Sequence, residues 1–464
     1  MHIFSKRRLS AVALAGAAVL AVGSAASAAP GGSTGPSSSD APYLVRATPG
    51  ITLTSLLTTG DSIGGYRMAG IPDGLGAFDN GNGTFTVLMN HELADNVGVV
   101  RAHGGKGAFI SKWVIDKKTL RVLSGGDLIR KVFLSKNGQY VETPGVVFNR
   151  LCSADLAAGT AYFNPRTGKG YDGRIFTNGE ESTGGRAFGH VVETGESYEL
   201  PGFGQGAWEN IVANPATGDK TVAMGTSDGG AGEVTLYVGD KKTAGTPVEK
   251  AGLTGGQHFT ISVAGMAVED STTAWTKGSL PFTLSSTGGT SFDRPEDGAW
   301  DPNHPNDFYF ATTASMTKHS RLWKLSFNDV TDPAKGGTAT MVFEGPTDEA
   351  SGPKMMDNIT INNRGQVLMQ EDPGNQGYLA GVYQYDIATG GVRRILDHDP
   401  ERFLPGGKYF DTVDEESSGI IPVPFLGEGK YLLDTQNHTK STDPELAEKG
   451  QLQLLHVPPG QPVR

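Results

Sequence analysis

Ser291-Phe292-Asp293-Arg294-Pro295-Glu296-Asp297-Gly298-Ala299-Trp300-Asp301 sets a fixed cation beside a carboxylate. Pro295 stiffens the chain between them, because its ring locks φ and also restricts the residue before it. The turn-rich tract Asp301-Pro302-Asn303-His304-Pro305-Asn306-Asp307 follows, and then Phe308 to Thr313, whose β-branched and aromatic residues suit a buried strand. An acidic corner is thus wired to a strand.

The same order, turn then apolar strand then polar or acidic cluster, recurs outward in both directions. It reads Asp79–Gly83, Thr84–Met89 and Asn90-His91-Glu92; then Tyr171–Gly173, Arg174–Thr177 and Asn178-Gly179-Glu180-Glu181. Ala216–Asp219 leads through Thr221–Met224 to Thr226-Ser227-Asp228, and Asn362–Gly365 leads through Gln366–Met369 to Gln370-Glu371-Asp372. The last unit is Gly427–Gly429, Lys430–Leu433 and Asp434 to His438. Second strands such as Gly381–Asp386 and Arg321–Leu325 alternate in polarity. Long 3.6-period stretches are missing, and 66 of 464 residues are glycine. Six such units predict an all-β, six-bladed β-propeller, with long inter-strand insertions to account for an irregular spacing of about 45 to 90 residues. An ordinary β-sandwich is the alternative.

Lys6-Arg7-Arg8, the apolar run Leu9 to Val22 and the small residues Ala26-Ser27-Ala28 read as a secretory signal peptide over residues 1–28. The chain is therefore expected to be secreted by bacterial export. Residues 29–45, rich in Gly, Ser and Pro, are expected as a disordered leader, and 46–464 as a single propeller domain. Removing residues 1–28 takes away three basic residues and no acidic ones, leaving 36 Lys+Arg against 50 Asp+Glu and a net charge of −14. This excess argues against nucleic acid or an anionic membrane as partner and suits metal cations. Cys152 has no second cysteine to pair with. It is either a small buried residue or a thiolate ligand, with Arg150 near enough in sequence to lower its pKa.

If each apolar strand is the innermost of its blade, the clusters at the strand ends converge on the channel mouth. Carboxylates gathered there repel unless cations sit between them. Glu92, Glu181 and Glu296, with the acidic ends of later strands, then form a metal site. Hard oxygen ligands suit Ca²⁺, whereas a Cys152 thiolate calls for a softer transition metal.

The ordered elements Asn90-His91-Glu92, Cys152-Ser153, Glu180-Glu181, Arg294-Pro295-Glu296, Asp357-Asn358 with Gln370-Glu371-Asp372, and Glu416-Ser417-Ser418-Gly419 with Gln436-Asn437-His438 resemble the PhoX family of secreted alkaline phosphatases. Phe188–Glu193 and Glu209-Asn210 add to the match, which covers about residues 60 to 440. Departures fall at Gly179, where the family often has cysteine, and at Trp208, where histidine is common. The resemblance implies a propeller hydrolysing small-molecule phosphate esters with iron and calcium, here expected as a monomer. Cys152, Glu181 and Glu296 would be the iron ligands, Glu92, Glu209, Asp357 and Glu416 the calcium ligands, and Asn90 and Arg294 the holders of phosphate oxygens. A calcium-dependent lactonase- or phytase-like propeller, or a non-catalytic binding propeller, are the competing readings.

Overall fold

The computed structural model describes residues 31–460 apart from 230–231 and 349–350. The expected signal peptide lies outside the described residues. Among the described residues strands dominate, and the α-helices are the single turns Pro247–Lys250 and Pro400–Phe403. No helix among them is long and apolar enough to cross a membrane.

Strand pairing joins the described strands into a fourteen-stranded sheet and smaller sheets of five, five and four strands, whose successive sets surround an axis. One strand of each set faces that axis: Pro72–Asp79, Ile175–Gly179, Gln205–Ala213, Pro295–Trp300, Met356–Ile361 and Glu415–Pro422. These six pack side by side, with Pro72–Asp79 against Glu415–Pro422 at one closure and Gly76 facing Phe176 and Leu156 at another. Successive strands then pair outward, as Asp307–Thr312, Arg321–Phe327 and Gly337–Glu344 do beyond Pro295–Trp300. In the last set Thr52–Thr58 pairs with Lys449–His456, so an early strand locks onto a late one. The protein is an all-β propeller, an architecture that leaves only short, protected sheet edges.

The apolar strands picked out from the sequence are mostly second in their sets, not innermost. Asp307–Thr312 shows why. Phe308 and Phe310 pack with Trp300 and Trp323 in its own set, while Tyr309 and Ala311 pack against Ile359 and Met369 of the next. A strand buried on both faces reads as a continuous apolar run. The axial strand beside it lines a channel and reads as polar and glycine-rich. Only around Arg174–Thr177 does the apolar segment coincide with an inner strand, Ile175–Gly179.

The expectation of a disordered leader over 29–45 is corrected for its described part. Gly32–Thr34 pairs in parallel with Thr52–Thr58, and Leu44–Arg46 pairs with Val392–His398. Tyr43 and Leu44 are buried, and Asp40 meets Arg402 at 2.8 Å. Backbone pairing onto two sheet edges that would otherwise lie open overrides a composition poor in apolar residues.

The corner carrying Arg294 is fixed from behind. Arg321 and Glu269, both wholly buried, pair at 3.1 Å, and Glu269 also accepts from Trp323 Nε1 at 3.0 Å and from the backbone N–H of Asp293 at 3.0 Å. Arg321→Met would leave the buried Glu269 without its counter-charge, so urea unfolding should register a loss of about 3–5 kcal/mol. A loss within the ~0.5 kcal/mol of ordinary surface substitutions would contradict this account.

Candidate metal centre

Every axial strand but Ile175–Gly179 carries a carboxylate toward the site, at or beside a β-bulge. Pairing shifts register between Pro72 and Leu75, Trp208 and Asn210, Pro295 and Gly298, Met356 and Ile359, and Ser418 and Ile420. A bulge re-aims side chains that regular alternation would send to one face. Asp73, Glu209, Glu296 and Asp357 sit in the first four of these irregularities, and Glu416 stands just before the fifth. Cys152 arrives differently. The segment from Leu151 to Asp155 bridges to Glu180 and Thr177 of the second set and wedges against the first, where a Cβ on Gly74 would lie 2.5 Å from the Ala154 nitrogen.

The ligand-type atoms converge in three overlapping triples, each with its atoms within 4.8 Å of one another: Asp73, Glu92 and Cys152; Cys152, Glu181 and Glu209; Glu209, Glu296 and Asp357. Shared members make these one arc. Of the residues expected as metal ligands, the structure joins Cys152, Glu181, Glu296, Glu92, Glu209 and Asp357. Glu416 stands beside the arc, accepting from Ser418 Oγ at 2.6 Å and Gln436 Nε2 at 3.3 Å. Gln436 Nε2 also lies 3.1 Å from Asp73 and 3.0 Å from Glu92. Asp73 belongs to no motif noted in the sequence.

Asn90 does not reach the cavity. It is fully buried, donating to the Cys152 carbonyl at 2.7 Å and accepting from Asn178 at 3.1 Å. Asn178 in turn meets His190 Nε2 at 2.8 Å. This line of amides holds the Cys152 segment in place. Arg294 does face the site. It grips Asp228 through two hydrogen bonds of 2.9 and 3.1 Å and approaches Glu296 at 2.9 Å.

The electrostatics leave a positive charge wanting. Burial pushes Asp73, Glu209, Glu296 and Asp357 well above the usual carboxylate range, and their neighbours' charges push further. Glu181 is raised to about 8 by burial and by Glu92. Burial and then Asp73 raise the Cys152 thiol, so the expected lowering by Arg150 does not occur; that arginine is turned toward Glu92 and Glu181. Glu416 differs: burial opposes its charge, but hydrogen bonds from His438 and Ser418 hold its pKa down. Both oxygens of Glu209, one each of Asp73, Glu92 and Glu296, and both amide atoms of Asn358 lack a hydrogen-bond partner although buried. Native interiors rarely tolerate such a cluster. Cations bound among these oxygens would satisfy them, and the oxygen-rich set with one sulfur fits a hard cation together with a softer one.

At the Glu92 end of the arc opens a cavity of about 640 Å³, lined by Glu92, Arg150, Asp372, Glu416, His438 and Lys440 among others. Arg150 and His438 were named in the sequence only as neighbours in motifs.

Scans against protein-family models and curated proteins return no match. Solved structures do match. Pseudomonas fluorescens PhoX in complex with vanadate, a transition state analogue, aligns with a TM-score of 0.56 and 11% identity over 88% of this chain and 95% of that one. Chaetomium thermophilum Sqt1 bound to the N-terminus of the ribosomal protein L10 aligns at 0.40 and 10% over 86% and 98%. The likeness to PhoX is one of fold; the second score is too low to carry an argument.

Proposed function

We propose that this chain is a secreted, monomeric, metal-dependent hydrolase of small-molecule phosphate esters, with iron and calcium held at the mouth of the propeller channel. One observation carries the reading: an arc of six carboxylates and one thiol, largely buried and with several oxygens short of partners, reaches through Glu92 a cavity that has Arg150 on its lining. The fold shared with PhoX, which was solved in complex with vanadate, a transition state analogue, supports it.

Cys152, Glu181 and Glu296 would hold iron, and Glu92, Glu209 and Asp357, with Asp73 and Glu416 beside them, would hold calcium. Bound cations supply the polarisation of a phosphoryl group that no side chain here provides. The chain's own part is to place and neutralise. Arg294 remains charged at any working pH and offers planar donors to equatorial phosphoryl oxygens. Asp228 fixes its orientation. The Asn90, Asn178 and His190 line keeps Cys152 in register.

A calcium-only hydrolase is favoured by one contact: Cys152 Sγ donates to Asp73 at 3.3 Å, as a protonated core thiol would. Elemental analysis of protein exported from a bacterial host and purified without chelators separates the two. Iron with calcium, and hydrolysis of p-nitrophenyl phosphate at alkaline pH, is the expected result. Calcium alone would move the weight to the second reading. No tightly held metal and no hydrolysis would leave a binding propeller.

A further inference from the structure

We propose that Arg150 is a second anion-holding residue of this site, gripping phosphoryl oxygens from the cavity beside Glu92; the proposal deepens the phosphate-ester reading and rests on it. The two arginines are built alike. Each stands two positions before a member of the arc, Arg150 before Cys152 and Arg294 before Glu296. Each has a left-handed backbone, with φ of 49° and 62°. That conformation is disfavoured for a non-glycine residue and persists only where the surroundings impose it. Here the surroundings do. Arg150 N–H donates to the Leu93 carbonyl at 3.0 Å while its own carbonyl accepts from Glu181 at 2.7 Å, and the Arg294 carbonyl accepts from Thr313 at 2.9 Å.

The side chains are matched as well. Arg150 Nη2 lies 2.6 Å from Glu92 and 2.5 Å from Glu181, as Arg294 bridges Asp228 and Glu296. The approaches to Glu92 and Glu296 are ion-pair distances without hydrogen-bond alignment, since the facing oxygens of both glutamates remain unpartnered. Neither arginine is enclosed: the Arg150 side chain is 47% exposed and that of Arg294 36%. A purely structural arginine, such as Arg321, is sealed at 0%.

Charge explains the division of labour. Cations held by Glu92 and Glu181 would share the carboxylate charge that now draws Arg150 in, releasing guanidinium donors toward the cavity. That cavity also exposes Ile71, Val97 and Pro444, an apolar wall suited to the organic part of an ester, with Lys440 on its lining. A dianionic phosphate monoester entering there meets Arg150 on the lining, beside Glu92.

The test uses inorganic phosphate and the metal-loaded full chain, by titration calorimetry with metal content measured on the same samples. Arg150→Gly suits the positive φ and should fold; Arg150→Lys keeps the charge but loses the planar fork. A charge-assisted hydrogen bond contributes about 1.5–3 kcal/mol, so Arg150→Gly should weaken phosphate binding on the order of 10- to 100-fold with metal content unchanged, and Arg150→Lys should recover only part of it. Affinity within about twofold of wild type in Arg150→Gly would overturn the proposal while hydrolysis by the wild type kept the phosphatase reading. Loss of metal in parallel with affinity would also overturn it, by making Arg150 a prop of the metal arc. A wild type that holds metal yet neither binds phosphate nor hydrolyses esters would remove the underlying reading and this one together.

Discussion

The Glu296→Gln variant should fold as the wild type does and hydrolyse a phosphate monoester on the order of a thousandfold more slowly, beyond the 10- to 100-fold typical of outer-shell partners of a metal. Glu296 is 2% exposed and belongs to the triple with Glu209 and Asp357. It is also the carboxylate nearest Arg294 within the arc. The amide preserves volume and the bulge at Pro295 to Gly298, so packing is not the variable. What is lost is a negative oxygen among ligands and the counter-charge that orients the arginine. Relief of repulsion with Asp357 and Glu181 offsets any lost ion pair, so the melting temperature should hold. Steady-state kinetics with elemental analysis on the same preparation decides the matter. Turnover equal to wild type with the full metal complement would remove Glu296 from the centre and with it the metal-hydrolase reading.

The propeller was legible because second strands such as Asp307–Thr312 are buried on both sides and announce themselves as apolar runs. The axial strands were not, because lining a channel removes the pattern by which strands are recognised. Their signal is a different one. Asp73-Gly74, Glu209-Asn210, Glu296-Asp297, Asp357-Asn358 and Glu416-Ser417 each put an acid before a small or polar residue in an axial strand, at its second position in all but Glu209. Read as a repeat, that pattern would have found Asp73. Arg150 was hidden for another reason: its role depends on a left-handed backbone that arginine does not advertise. Asn90 was legible as a site residue only by resemblance, and burial places it behind the arc. The order of Tyr43 and Leu44 depends on sheet edges supplied by residues some 350 positions away in the chain.

Stripping the metal should make stability fall steeply with rising pH, and the sign follows from the carboxyls themselves. Asp73, Glu209, Glu296 and Asp357 are raised well above their ordinary values, Glu181 to about 8 and Asp372 to about 7, with burial the first cause in every case. Between roughly pH 4 and pH 8 the folded chain therefore retains protons that the unfolded chain releases. Where the native state binds more protons, stability declines as pH rises. At pH 5 these carboxyls are neutral and the metal-free arc is tolerable. At pH 8.5 they must ionise beside one another or keep protons against the solvent. Each proton retained is worth about 1.4 kcal/mol per pH unit, so several kcal/mol are lost over that interval, a fall in melting temperature on the order of 10 °C. Bound cations replace those protons, and their stabilisation grows as the carboxylates ionise. Calorimetric melting of chelated and metal-loaded protein from pH 5 to pH 8.5 should thus give diverging curves, the chelated one dropping and the loaded one level or rising. A chelated protein that melts as high at pH 8.5 as at pH 5 would mean that the arc bears its charges without cations, and the centre would then not be a metal site.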